Sequence, residues 1–206
     1  MPVKNDREYR RMDVSALEVR EDQDGHKTVE GYATTFNDEY RLWGDSTYEV
    51  RESISPDAFN EADMSDVIMQ YDHEGRVFAR KSNGTLAIAP DAHGLHIRAD
   101  LGGTELGRQL FEEIKGGYTT KMSFSFSVSK SERTEENVEG RTIVHRKITG
   151  IKKLYDVSAV SLPANDATEI SARNLSEGVI AEIEKELLAK RARARQIQKI
   201  KILMEV

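Results

Sequence analysis

Between Met122 and Ser129 the sequence reads MSFSFSVS. Ser123, Ser125, Ser127 and Ser129 alternate strictly with Phe124, Phe126 and Val128. A period of two is the repeat of a β-strand, whose successive side chains point to opposite faces; a helix would scatter the same residues around its axis. The phenylalanine face belongs in a core, so the serines line the other face. A chain with this segment is built around a sheet that turns an apolar surface inward. The serine face has two readings: small polar residues on an outer sheet surface, or a row in which one hydroxyl is a nucleophile.

Other segments carry the same period. ALEVRE (16–21) and VEGYATTFN (29–37) predict two strands around the turn DQDGHK, and YEVRESI (48–54) predicts a third. DVIMQYDH (66–73) reads as a buried strand running out to the surface, and 83–101 as two strands joined by the turn Pro90–Gly94. Residues 118–128 and 142–163 complete the β-rich part, with the polar SERTEENVEGR (131–141) read as a hairpin loop. A short helix is predicted at 55–62, with Ser55 as N-cap and Pro56 in its first turn. A second is predicted at Glu105–Lys115: Thr104 caps it, Leu106, Leu110 and Ile114 share a face, and Gly116–Gly117 end it. Residues 175–204 read as a long helix with Ile180, Ile183, Leu187, Ala194, Ile197 and Met204 near one stripe, interrupted by KRARAR. The expected organisation is a flexible N-terminus (1–13), a β-rich α+β domain (14–170), and a linker with a basic helical tail (171–206).

The 206 residues suffice for one domain with a substantial core. Cysteine is absent, which excludes disulfides, thiolate nucleophiles and Cys-ligated zinc. No apolar run approaches the roughly 20 residues of a membrane span, and the first residues lack the apolar stretch of a secretory signal. No membrane partner is expected. The net charge of −6 disfavours nucleic acid as a partner. Residues 171–206 carry eight Lys/Arg against five Asp/Glu, leaving 22 basic and 31 acidic residues upstream, so the tail is suited to docking on an acidic surface.

Without cysteine, a nucleophile has to be Ser, Thr, Lys or a carboxylate. A serine hydroxyl attacks well only when a base takes its proton, and the base works best when a third group fixes its tautomer. Of the five histidines, His26 lies in a turn and His145 alternates with Ile143 on a strand. His93 and His96 flank Gly94–Leu95 but match no strong zinc spacing. His73 lies where an apolar run reaches the surface in YDHEG, a setting in which a general base can work. Asp156, between Tyr155 and Val157, is a carboxylate among apolar neighbours and needs a partner there. That partner is either a histidine or, in a purely structural role, Lys152 or Lys153.

Six segments together resemble the prohead maturation proteases of tailed phages, whose β-barrel fold is shared with herpesvirus assemblins. They are GYATTF (31–36), ISPDAF (54–59), MQYDHEGRVFAR (69–80), KSNGTLAIAPDAHGLHIRADL (81–101), TTKMSFSFSV (119–128) and YDVSAVSLPANDATE (155–169). The resemblance covers about residues 15–170 and rests on their order and spacing. It implies a closed or partly closed antiparallel β-barrel with a few helices. It places the catalytic histidine at His73, the nucleophile at Ser123 and the acid at Asp156. Relatives often carry glycine where this chain has Ser125, which makes Ser125 a rival nucleophile, and Asp72 is a rival acid. The implied activity is serine endopeptidase cleavage without metal or organic cofactor. The implied substrates are the major capsid protein with its scaffolding segment, and the protease itself. Self-association and a location inside the immature prohead in the host cytoplasm are also implied, and backbone N–H groups within 161–168 are candidate oxyanion donors. The alternative is a non-catalytic capsid assembly or scaffold module with the same fold.

Overall fold

The computed structural model describes residues 7–12, 17–23, 26–160 and 169–204. Its strands are β1 (Arg7–Met12), β2 (Glu18–Glu21), β3 (Lys27–Thr35), β4 (Tyr40–Gly44), β5 (Tyr48–Ile54), β6 (Ile68–Tyr71), β7 (Glu74–Arg80), β8 (Leu86–Pro90), β9 (Gly94–Asp100), β10 (Lys121–Val138) and β11 (Arg141–Val160). The helices are α1 (Glu105–Lys115) and α2 (Glu169–Met204).

Among the described residues the ladders form two sheets around one core. The larger runs β1-β10-β11-β5-β4, with β6 pairing β11 and β7 pairing β6; the smaller runs β2-β3-β9-β8. Phe124, Phe126, Val157 and Ala159 of the larger sheet meet Val29, Ala33, Leu95 and Ile97 of the smaller one, and Leu110, Phe111 and Ile114 of α1 join them. The helix starts where the sequence places it: Thr104 Oγ1 accepts the Gly107 N–H at 2.9 Å.

The 20-residue β11 organises the larger sheet. It pairs antiparallel with β10 along its whole length. On its other edge, Thr142–Ile148 pair with β5 and Asp156–Ala159 with β6, both in parallel. The sheet is therefore mixed, which corrects the expectation of a purely antiparallel barrel. A segment that returns to the same strand edge after a long excursion enters in either direction, and hydrophobic alternation does not encode that direction.

Other expectations are also corrected. Residues 7–12, expected within a flexible N-terminus, form β1 on the edge of β10. The polar stretch read as a loop is an extended ladder to Val138, closed by Glu139 and Gly140 at φ 51° and 83°, a two-residue turn with both central residues left-handed. Its side chains are largely exposed, so pairing with β11 holds it where burial does not. The short β4 and β7 lie outside the predicted strands, and the 55–62 helix reduces to one 3₁₀ turn at Pro56–Phe59 with no side-chain cap from Ser55. Helix α2 begins at Glu169, ahead of the predicted start. Its Ile180, Ile183 and Leu187 are buried against Leu42, Tyr48, Val50 and Val144. Ile197 is exposed, and the side chains of Ala194 and Met204 lie outside the described residues.

Phe124 is fully buried and its ring stacks on Phe126 at 4.7 Å. Phe124→Ala is expected to cost roughly 3–5 kcal/mol of stability, read by chemical denaturation; a loss below 1 kcal/mol would show that this face is not the centre of the core.

Candidate active site

The pairing of β10 with β11 sets Ser123 opposite Ser158 and Ser125 opposite Asp156. Directly paired residues share a face, so two serines, one more serine and a carboxylate line the side away from Phe124 and Phe126. A register shift follows, with Phe126 opposite Leu154 and Tyr155 skipped, which sets Leu154 on the core face beside the phenylalanines. On the far edge of β11, β6 ends at Tyr71 opposite Ala159. The chain then reverses through Asp72 and His73, at φ 47° and 61°, to pair Glu74 with Tyr71. This is a two-residue turn with both central residues left-handed, where Asp and His are tolerated better than most side chains. The turn brings the imidazole back over β11. The Asp72 N–H donates to the Ala159 carbonyl at 3.0 Å, and the His73 N–H donates to Ser158 Oγ at 3.2 Å.

The structure thus brings together three residues that are 83 positions apart at their extremes. His73 Nδ1 lies 2.6 Å from Asp156 Oδ1, and His73 Nε2 lies 2.5 Å from Ser123 Oγ. An ionised carboxylate only accepts, so Nδ1 carries the proton and Nε2 presents its lone pair to the hydroxyl. Ser123 and Asp156 are fully buried and the His73 side chain is 6% exposed. Ser158 Oγ donates to Asp156 Oδ1 at 3.0 Å. The second carboxylate oxygen, Oδ2, accepts from Ser125 Oγ and from the Arg7 guanidinium. Burial by itself raises the Asp156 carboxyl. The His73 hydrogen bond and charge, the Ser125 hydroxyl and Arg7 outweigh burial and hold it below its ordinary value.

Strand β1 covers this centre. It pairs antiparallel with β10, with Arg11 opposite Ser123 and Tyr9 opposite Ser125. The Tyr9 ring meets the His73 ring edge-on at 5.0 Å. The Arg10 carbonyl oxygen lies 2.8 Å from Ser123 Oγ and accepts from it. The single hydroxyl proton of Ser123 therefore has two acceptors within reach, His73 Nε2 and a peptide carbonyl.

The other candidates stand elsewhere. Ser125 lies one pleat along, bonded to Asp156 and accepting from Arg7 Nε at 3.1 Å. The carboxylate on His73 Nδ1 belongs to Asp156, not to Asp72. Lys153 pairs with Asp63 at 2.7 Å, so the structural ion pair offered for Asp156 is made by Arg7 instead. His93 and His96 both face the Tyr32 ring, at 4.6 and 5.2 Å between centroids. Among the described residues no three His, Asp or Glu side chains form a group able to hold a metal. Segment 161–168 lies outside the described residues. Sequence reasoning missed Ser158 and Arg7. The alternation of Asp156 with Ser158 was a usable signal; for Arg7 there was none.

A family model described as Caudovirus prohead serine protease matches residues 15–185. No curated protein matches the sequence. Among solved structures, the bacteriophage T4 capsid assembly protease gp21 is similar with 14% identity and a TM-score of 0.42, over 77% of this chain and 100% of that one.

Because the folded Asp156 carboxyl titrates below its ordinary value of 3.8, its contribution to stability is complete above that value and is lost as pH falls through the lower folded one. Asp156→Asn should therefore flatten the loss of stability on acidification, measured by denaturation at pH 6 down to about pH 2. A variant with an unchanged acid limb would show that Asp156 is not held ionised by these partners.

Proposed function

The chain belongs to the caudovirus prohead serine protease family, and on that premise we propose that it is a serine endopeptidase of capsid maturation with Ser123 as nucleophile, His73 as general base and Asp156 as the group that orients the imidazole. The observation that carries this reading is the unbroken line of hydrogen bonds from Ser123 Oγ through His73 to Asp156. The tight turn at Asp72–His73 supports it, since it carries the imidazole back over β11.

In the proposed reaction Ser123 Oγ attacks the carbonyl carbon of a peptide bond while its proton passes to His73 Nε2. The imidazolium is stabilised by Asp156 through Nδ1–H. The C–N bond then breaks as Nε2–H protonates the leaving amine, leaving an acyl ester on Ser123. Water adds to the ester, gives its proton to Nε2, and the acid product departs as the proton returns to Oγ. Ser158 and Ser125 act here as positioning residues that fix the two Asp156 oxygens. A substrate reaches Ser123 by taking the place of β1 along β10, since β1 fills that edge.

The proposed substrates are the capsid protein with its scaffolding segment, and the protease itself, cleaved within the immature prohead. Helix α2 is the element proposed to dock on capsid or scaffold, and self-association belongs to the same proposal. The fold is proposed to correspond to a partly closed assemblin-type barrel. Among the described residues no helix is long and apolar enough to cross a membrane.

Co-expression with the capsid protein tests the reading. Ser123→Ala is expected to abolish processing, by at least ~10³-fold, as is His73→Ala. Ser125→Ala should retain the cleavage sites at a reduced rate. Equal processing by wild type and Ser123→Ala would reject the assignment and leave the chain as a non-catalytic assembly module.

A further inference from the structure

The face of β1 turned away from Ser123 carries Glu8 and Arg10, and both side chains enter a buried ionic pocket. The Arg10 guanidinium grips Glu52 with two prongs, Nε to Oε1 at 2.5 Å and an Nη to Oε2 at 2.9 Å. Glu8 accepts two bonds from Arg146, at 2.9 and 3.0 Å, and Arg146 also donates to Glu52 Oε2 at 2.5 Å. Arg10 bonds back to Glu8, which closes a ring of four alternating charges. Tyr40 donates to Glu52 Oε1, and the Arg10 guanidinium lies 5.4 Å from the centre of the Phe126 ring. Arg10 is 2% exposed and Glu52 and Arg146 are 0% and 4% exposed.

Two charges of this ring, Glu52 and Arg146, belong to β5 and β11. The other two belong to the strand lying on the β10 edge. That strand presents one main-chain carbonyl to Ser123, and it is the carbonyl of Arg10. We propose, resting on the protease reading above, that Glu52 and Arg146 form a paired subsite that reads an extended acidic-x-basic triplet, with the basic residue immediately before the bond to be cut. An extended peptide in the register of β1 places its side chains as β1 does, because strand pairing fixes the alternation. Its basic side chain then meets Glu52 and its acidic side chain, two residues earlier, meets Arg146. A neutral residue at either place leaves a buried charge of the body without one partner, and a charge-swapped triplet sets like charges together. Both are strongly disfavoured out of water. The forked geometry favours arginine over lysine at the basic position.

The test uses the full chain, co-expressed with its capsid protein and with reporter proteins that differ only in an exposed linker: Glu-Ala-Arg, Gln-Ala-Arg, Glu-Ala-Gln or Arg-Ala-Glu. Products are mapped by mass spectrometry, with Ser123→Ala as the control. Cleavage after arginine in Glu-Ala-Arg is expected, falling on the order of 30-fold or more for each neutral linker and to background for the swapped one. Glu52→Gln should narrow the gap between Glu-Ala-Arg and Glu-Ala-Gln; if that variant does not fold, the wild-type linker series decides alone. Capsid processing that depends on Ser123, with all linkers cut equally, cut elsewhere or left uncut, overturns the subsite and leaves the protease reading intact. Processing that does not depend on Ser123, or none at all, overturns both.

Discussion

The antiparallel pairing of β10 with β11 is the constraint on which the other features depend. It fixes in one step which residues face the core and which face the site. With Ser123 opposite Ser158 and Ser125 opposite Asp156, the phenylalanines between them pack inward and the polar groups converge outward. A slip of one residue would send every side chain to the wrong face, burying serines among phenylalanines and exposing the rings. The same strand β11 then receives β6, and β6 delivers His73 through its turn. The three candidate catalytic groups therefore depend on one strand's two edges, which is why their spacing is rigid although they are far apart in sequence.

Charge is also buried on both faces of the larger sheet. Asp156 on one face of the larger sheet and Glu52 on the other are both fully buried. Neither is left to bear its desolvation alone. Asp156 is held ionised by His73, Ser125 and Arg7 against the opposing effect of burial. Burial likewise raises the Glu52 carboxyl, but Arg10, Arg146 and Tyr40 bring it down to about 2. Strand β1 contributes an arginine to each, Arg7 on one side and Arg10 on the other. An edge strand of six residues is thus anchored on both faces by charged hydrogen bonds, from a half-buried Arg7 to Asp156 and from a buried Arg10 to Glu52.

Much of this was legible in the sequence. The alternation at 122–129 specified a strand and its two faces, the 3.6-residue spacing with Thr104 and Gly116 specified α1, and YDHEG and YDVSAV drew attention to His73 and Asp156. What was not legible has physical causes. Arg7–Met12 is polar at nearly every position, so nothing in its pattern distinguishes a strand anchored by ion pairs from a frayed end. Residues 131–138 are held by ladder hydrogen bonds with their side chains in solvent, and such a strand leaves no hydrophobic alternation. The parallel entry of β5 and β6 onto β11 is a matter of topology, which local periodicity does not carry. Ser158 was overlooked because a serine two residues from a carboxylate acquires meaning only once the histidine is known to lie above both.

Activation of Ser123 by His73 is tested most directly by treating the protein with a fluorophosphonate and locating the modified residue by tandem mass spectrometry. A single adduct on Ser123 that disappears in His73→Ala is expected. An adduct on Ser125, an adduct on Ser123 that persists without His73, or no adduct at all would contradict it.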